Sequence, residues 1–372
     1  MRTNALVSAI LAAGVIFAAS ACACSCGEKN HIDYHFPDAD SLYHKDTVPT
    51  PVNPGDTTVH KDSLVNITFE ILGYPEGVKM YGFQDWVDST SKCVGWYAIA
   101  DTKANPKLRF NAMYLADPVT PSTAFKQFET LGKGTPLVTV NGGYWYNGES
   151  LSLLVSDSTV KSIAAQMTWV TVNGATVTVY PVRAALGRMS DGTFEATWVY
   201  CPSDGLQKPY SYPSALDNNE KTHKFMAVAP KHNNNGAKLW TPIEAIGGGP
   251  MIVYGGEDVS EKNYWKEVLD EGGTAGLSRQ PRTCVAATGD GKVIFFVCDG
   301  RGENGSVGFT LSEMARKLIR LGATMAVNLD GGGSSVFVGK EGLVVNRPSD
   351  SKENVEITER KVTTAVTLSV TE

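Results

Sequence analysis

From Leu64 onward the chain reads as short apolar or alternating runs broken by turn residues, the pattern of strands joined by tight connections. The strongest hairpin signal is Met167 to Val172, then Asn173-Gly174, then Ala175 to Val182, because Asn-Gly suits the primed turn that matches strand twist. Further hairpins are expected at Asp191-Gly192 and at Asn235-Gly236.

The last third changes character. Lys292 to Cys298, KVIFFVC, is a continuous apolar run closed by Asp299-Gly300, as expected for a strand buried on both faces. Thr310-Leu311-Ser312-Glu313 reads as a capping box, Leu311, Met314, Ala315 and Leu318 follow helical spacing, and Gly322 sits where a C-terminal cap belongs. Thr324 to Leu329 is another short strand. Strand, helix, strand predicts a parallel crossover, so Asp299 and Asp330 should end two strands running the same way and emerge on one sheet edge. The fold class expected is therefore α+β: a twisted mixed β-sheet core with antiparallel hairpins and a C-terminal βαβ unit, helices packed on the sheet.

Ahead of this pattern the chain has a different texture. Arg2 precedes an uncharged run from Ala5 to Ala19 that is too short to span a bilayer comfortably, so residues 1–21 read as an export signal. Ala19-Ser20-Ala21 fits a cleavage site, and Cys22 would then be a lipidated N-terminus, although Ala19 replaces the usual leucine. The expected location is the bacterial cell envelope, with membrane contact through an anchor at Cys22; plain secretion is the alternative. Residues 22–62, rich in Pro, Asp and Thr, read as a flexible tether, and residues 63–372 as the functional domain.

With 33 basic against 39 acidic residues the net charge is -6, no footprint for nucleic acid. Cys284 and Cys298 flank the turn at Gly289-Asp290-Gly291-Lys292. A three-residue loop could bridge them, and a two-residue loop at Asp290-Gly291 would pair Cys284 with Val297 instead. Neither CxxC nor HExxH spacing occurs, so no metal site or cofactor is implied, though room for a structural or catalytic cation stays open.

Chemistry gathers at strand ends. Asn141-Gly142-Gly143-Tyr144-Trp145 offers an amide and two aromatics suited to a sugar, or else a Gly-Gly turn with packed rings. Gly247-Gly248-Gly249-Pro250 repeats the theme and is equally readable as a tight bend. Arg282, aimed by Pro281, and Arg301, after Asp299-Gly300, form a candidate anion clamp; a surface salt bridge with Asp299 is the plainer reading. Asn328-Leu329-Asp330-Gly331-Gly332-Gly333-Ser334-Ser335 spends three glycines on one carboxylate, which suggests that backbone closely approaches a ligand or another strand.

In their order these motifs resemble the phosphodiester glycosidases. The resemblance covers roughly residues 90–372 and is most specific from Pro281 to Ser335, with Gly308 before the capped helix; Cys284-Val285 departs from the small and aliphatic pair usual there. It implies hydrolysis of a sugar-1-phosphodiester, such as an N-acetylglucosamine-1-phospho-sugar, into free sugar and a phosphomonoester. Asp330 is then the leading acid-base or nucleophilic carboxylate. Gly331, Gly332, Gly333, Ser334 and Ser335, with Arg282, Thr283 and Arg301, would cradle the phosphate. Asn141, Gly142, Gly143 and Tyr144, with Gly248 and Gly249, would hold the sugar, and Asp299 would orient Arg282 or act as a second carboxylate. A glycan-binding protein without catalysis and a metal-dependent phosphodiesterase cutting P–O are the competing readings.

Overall fold

The computed structural model describes residues 66–203, 207–267, 275–351 and 356–372. The expected signal, tether and Cys22 anchor lie outside these residues. Among the described residues no helix is long and apolar enough to cross a membrane.

Strands dominate, in three larger sheets. The eight-stranded sheet runs, in spatial order, Ile67–Ile71, Val78–Trp86, Lys92–Asp101, Lys292–Cys298, Arg282–Thr288, Ala323–Asn328, Met251–Tyr254, Glu257–Asp258. A seven-stranded sheet centres on Arg183–Arg188 and Phe194–Tyr200, and a four-stranded sheet holds Leu108–Val119, Thr135–Asn141, Phe337–Val338 and Val362–Val370.

The eight-stranded sheet is buried on both faces, which explains its unbroken apolar runs. Val293, Phe295 and Val297 join Val138, Leu186 and Val366 of the other sheets in one core. The alternate residues Ile294, Phe296 and Cys298 join Met314, Leu318 and Tyr264 of the helices in a second. The helix Leu311–Arg320 carries the expected capping box, Thr310 N donating to Glu313 Oε2 at 2.9 Å and Glu313 N to Thr310 Oγ1 at 3.1 Å. It ends at Gly322, whose φ of +91° suits a residue without Cβ.

The expected βαβ unit takes a different form. Lys292–Cys298 and Ala323–Asn328 run the same way but are not neighbours, because Arg282–Thr288 lies between them and pairs antiparallel with both. The helix thus crosses over a strand already in place. The hairpins at Asn173-Gly174 and Asp191-Gly192 form as expected. Asn235-Gly236 makes a turn, yet Lys238–Leu239 pairs with Tyr210–Ser211 instead, since Lys231 to Asn234 before it is itself a turn.

The Gly289–Gly291 loop has three residues centred on Asp290, so Cys284 faces Phe296 and Cys298 faces Arg282. The considered Cys284–Cys298 bridge does not form, and Cys93, Cys284 and Cys298 are free thiols.

Candidate active site

The antiparallel register decides which side chains meet. Arg282 stands opposite Cys298 and Cys284 opposite Asn328, so Asp330, two residues on, comes level with Arg282 at the same sheet edge. Side chains alternate across a sheet. Cys284 and Cys298 face the helices, so Arg282, Asn328 and Asp330 share that face, and Thr283, Asp299 and Leu329 fall on the other.

A cleft of ≈ 400 Å³ opens there, between the sheet edge and the helices Ser260–Glu267 and Leu311–Arg320. Of the expected residues it gathers Tyr144, Arg282, Arg301, Asp330, Gly331, Gly332 and Gly333. It adds Tyr264, Gln280 and Arg360, and Asn328, which stood in the glycine motif without an assigned role. Among the described lining residues Asp330 is the one carboxylate, facing three guanidiniums.

Asp330 is held by its backbone. Its amide donates to Gly142 O at 3.1 Å, its carbonyl accepts from Asn141 Nδ2 at 2.7 Å, and its Oδ1 accepts from Gly331 N at 2.9 Å. Burial pushes its carboxyl up to about 6, against the opposing pull of Ser334, Arg360, the Gly331 amide and the Trp145 indole. Ser334 is fully buried beneath the carboxylate.

Each arginine is braced differently. Arg282 is buried; its Nε donates to Phe309 O at 3.0 Å and its Nη2 to the carbonyls of Ala275, Gly276 and Ser278. Burial lowers its pKa from the usual arginine value. Arg301, at φ +59°, donates from Nε to Gln280 Oε1 at 2.9 Å. Arg360 grips Asp350 in a two-point contact, Nε to Oδ2 at 2.8 Å and Nη2 to Oδ1 at 2.9 Å.

The glycine run threads between these cations. A Cβ on Gly332 would sit 3.0 Å from Arg301 Nη2, and one on Gly333 would sit 2.0 Å from Asp350 Oδ1 and 2.4 Å from Arg360 Nη2. Three glycines after the acid are therefore a packing requirement as well as a backbone one.

The remaining expected residues stand behind the cleft. Asn141 is fully buried, its Oδ1 accepting from Thr283 Oγ1 at 2.7 Å and from Val336 N at 3.2 Å, so it ties strands to the Asp330 backbone. Gly142 and Gly143 pass too close to Thr364 and Ser152 for a side chain, and Gly248 lies against Asn328 O, where a Cβ would stand at 2.3 Å. Gly249 O accepts from Tyr144 Oη at 2.8 Å and from Asn328 Nδ2 at 2.9 Å. Ser335 is buried beneath, its carbonyl accepting from Asn346 Nδ2.

Asp299 does not line the cleft, nor does it touch Arg282, whose donors go to carbonyls. It accepts from Asn346 Nδ2 at 2.9 Å, from Arg347 N at 3.1 Å and from Asn304 Nδ2 at 2.7 Å, with burial holding its carboxyl up at about 7. The physical reason is parity: it lies one residue beyond Cys298 and so leaves the sheet on the opposite face. Arg301 likewise forms no salt bridge with Asp299, bonding Gln280 and Ser349 instead.

Tyr144 and Asn328 form the other wall. Asn328 Nδ2 also donates to Tyr144 Oη at 3.0 Å, while its Oδ1 is buried with no hydrogen bond among the described residues. Donors thus crowd one side of the cleft, and the Asn328 amide braces the other through Tyr144 Oη and Gly249 O. Among the described residues no three His, Cys, Asp or Glu gather as metal ligands.

Comparison with known proteins shows what the chain is similar to. The human and mouse N-acetylglucosamine-1-phosphodiester alpha-N-acetylglucosaminidases are 37% and 40% identical to it over 86 residues, 23% of this chain and 16% of each relative. The match therefore spans less than a fifth of those relatives' length. The zebrafish N-acetylglucosamine-1-phosphodiester alpha-N-acetylglucosaminidase catalytic domain, auto-inhibited by its pro-peptide, superposes with a TM-score of 0.54 at 18% identity, covering 83% of this chain and 89% of that one. A hypothetical protein from Synechocystis gives 0.50 at 17%, covering 83% and 64%. At such identities the likeness is one of fold. The family model described as phosphodiester glycosidase matches residues 171–369, more than half of the chain. The chain belongs to the phosphodiester glycosidase family.

Proposed function

We propose that the protein hydrolyses a sugar-1-phosphodiester at the sugar carbon–oxygen bond, releasing free sugar and a phosphomonoester. The observation that carries this reading is one carboxylate raised to about 6 facing Arg282, Arg301 and Arg360 across a single cleft.

An ordinary glycoside expels an alkoxide, which needs a proton from a second carboxyl. A sugar phosphodiester expels a phosphate monoester whose conjugate acid has a pKa of about 6, so it leaves without an acid if its charge is held. The cleft supplies that arrangement. The three guanidiniums hold the departing phosphoryl oxygens, and Asp330, ionised above pH 6 or so, serves as base to the attacking water or as nucleophile at the anomeric carbon. The rings of Tyr144 and Tyr264 flank the sugar.

Asp299, Asn141, Thr283 and Ser335 act as framework in this scheme, fixing the strands from which Asp330 and Arg282 project. N-acetylglucosamine-1-phospho-mannose is the natural first substrate, since the curated relatives are named for N-acetylglucosamine-1-phosphodiesters. Free N-acetylglucosamine with mannose 6-phosphate is the expected outcome; N-acetylglucosamine 1-phosphate with free mannose means P–O cleavage and overturns the scheme. The leader motif before Cys22 places this activity at the cell envelope on a lipid anchor. Cys22→Ser should then release the protein from membranes, and unchanged membrane association would argue otherwise.

A further inference from the structure

We propose that Gln280 is a positioning residue for the anion-holding side of the cleft. Its neutral amide aims Arg301, ties it through Ser278 to the loop that holds Arg282, and leaves both cations uncompensated for a phosphate. That the anion is a phosphate rests on the function proposed above; the geometry that couples the two arginines does not.

The backbone around Gln280 is fixed on both sides. It exchanges hydrogen bonds with Phe309, Gln280 N to Phe309 O at 3.1 Å and Phe309 N to Gln280 O at 3.2 Å, and Arg282 Nε meets the same Phe309 carbonyl at 3.0 Å. The preceding Arg279 pairs with Glu313 of the capping box and with Asp88. Alternation along the extended segment then brings Gln280 and Arg282 to the cleft together. Against this segment packs the turn that carries Arg301. A Cβ on Gly300 would stand 2.7 Å from Pro281 N, and Arg301 holds φ +59°, a backbone state that residues other than glycine seldom adopt.

The side chain then joins the two cations. Arg301 Nε donates to Gln280 Oε1 at 2.9 Å, and because a guanidinium only donates, the amide must present its oxygen there. Its Nε2 is left for Ser278 Oγ at 3.2 Å, which in turn donates to Ala275 O at 3.3 Å. The carbonyls of Ala275 and Ser278 are both acceptors of Arg282 Nη2. One amide therefore sets the spacing between two guanidiniums. Charge decides why it is an amide. Among the described residues neither Arg301 nor Arg282 forms an ion pair, whereas Arg360 is matched with Asp350. A carboxylate at position 280 would make the same hydrogen bond and offset the Arg301 charge beside the phosphate, while a neutral acceptor braces without offsetting.

The test is calorimetry of the full chain with inorganic phosphate near pH 7.5, with turnover of N-acetylglucosamine-1-phospho-mannose measured beside it. Gln280→Met keeps the length and removes the brace, so phosphate affinity should fall severalfold. Gln280→Glu keeps the brace and adds a charge, so affinity should fall about tenfold or more. Both should melt within about 2 °C of wild type. Once Arg301 is replaced in Arg301→Ala, Gln280→Met should weaken phosphate little further, as expected of a residue that acts through Arg301. Wild-type affinity in Gln280→Glu, or full additivity of Gln280→Met with Arg301→Ala, overturns the role of Gln280 alone. A wild-type chain that binds no phosphate at millimolar concentrations overturns it together with the phosphate clamp. The predicted affinities without any release of sugar uphold Gln280 and reject the hydrolysis.

Discussion

Asp330 sits where burial resists its charge, and the three arginines around it hold theirs in unequal ways. Those differences decide which substitutions are informative. Asp330→Asn keeps the shape, so it should lower kcat by about 10²–10⁴-fold with no loss of melting temperature; full activity would remove Asp330 from the chemistry. In the wild type, kcat/KM should fall as pH drops through about 6, where the carboxylate takes up its proton. Arg282→Ala is a poorer probe, because four carbonyls lose a donor; Phe309 O, Gly276 O and Ala275 O keep another, and a buried acceptor left unfilled, as at Ser278 O, costs about 1–3 kcal/mol. Arg301 has no such burden. Arg301→Ala should lower kcat/KM by roughly 10²-fold while moving the melting temperature by no more than about 2 °C, and a large melting shift with little kinetic change would make it structural.

At the scale of elements, strand ends were readable because apolar runs stop at Asp or Asn followed by glycine, and the two acids do leave strands running the same way. Facing was not readable. It turns on a register set by the three-residue Gly289–Gly291 loop; a two-residue loop would shift the pairing by one and set Asp299 opposite Arg282. That parity separates Asp330 from Asp299. Arg360 and Tyr264 lacked any motif, since one is placed by Asp350 and the other is an aromatic on an amphipathic helix. Asn328 lay inside the glycine motif unassigned, its role visible once its Nδ2 is seen donating to Tyr144 Oη and Gly249 O. The glycine run has its own test: Gly333→Ala must displace the Asp350–Arg360 pair. Activity on a phosphodiester should drop severalfold or more, and wild-type kinetics would show that Arg360 does not grip the phosphate.

For the whole molecule, five carboxyls share one sign, Glu244 and Glu359 being raised by burial along with the three shifted furthest. Burial raises Asp299 and Glu267 to about 7 and Asp330 to about 6. The folded chain therefore keeps protons that the unfolded chain releases from about pH 4 upward, so their contribution to stability is lost as pH rises toward 7. The surface acids Asp88 and Asp290, shifted down by hydrogen bonds and, for Asp290, by Lys292, act oppositely but only at lower pH. Melting temperature should be higher near pH 5 than near pH 7.5, and a flat or rising profile would contradict this. The central claim is that one carboxylate and three guanidiniums suffice to cut a sugar from a phosphate at carbon. Hydrolysis of N-acetylglucosamine-1-phospho-mannose in ¹⁸O-labelled water reads the broken bond directly. The account predicts the label in free N-acetylglucosamine, and its appearance in the phosphate would contradict it.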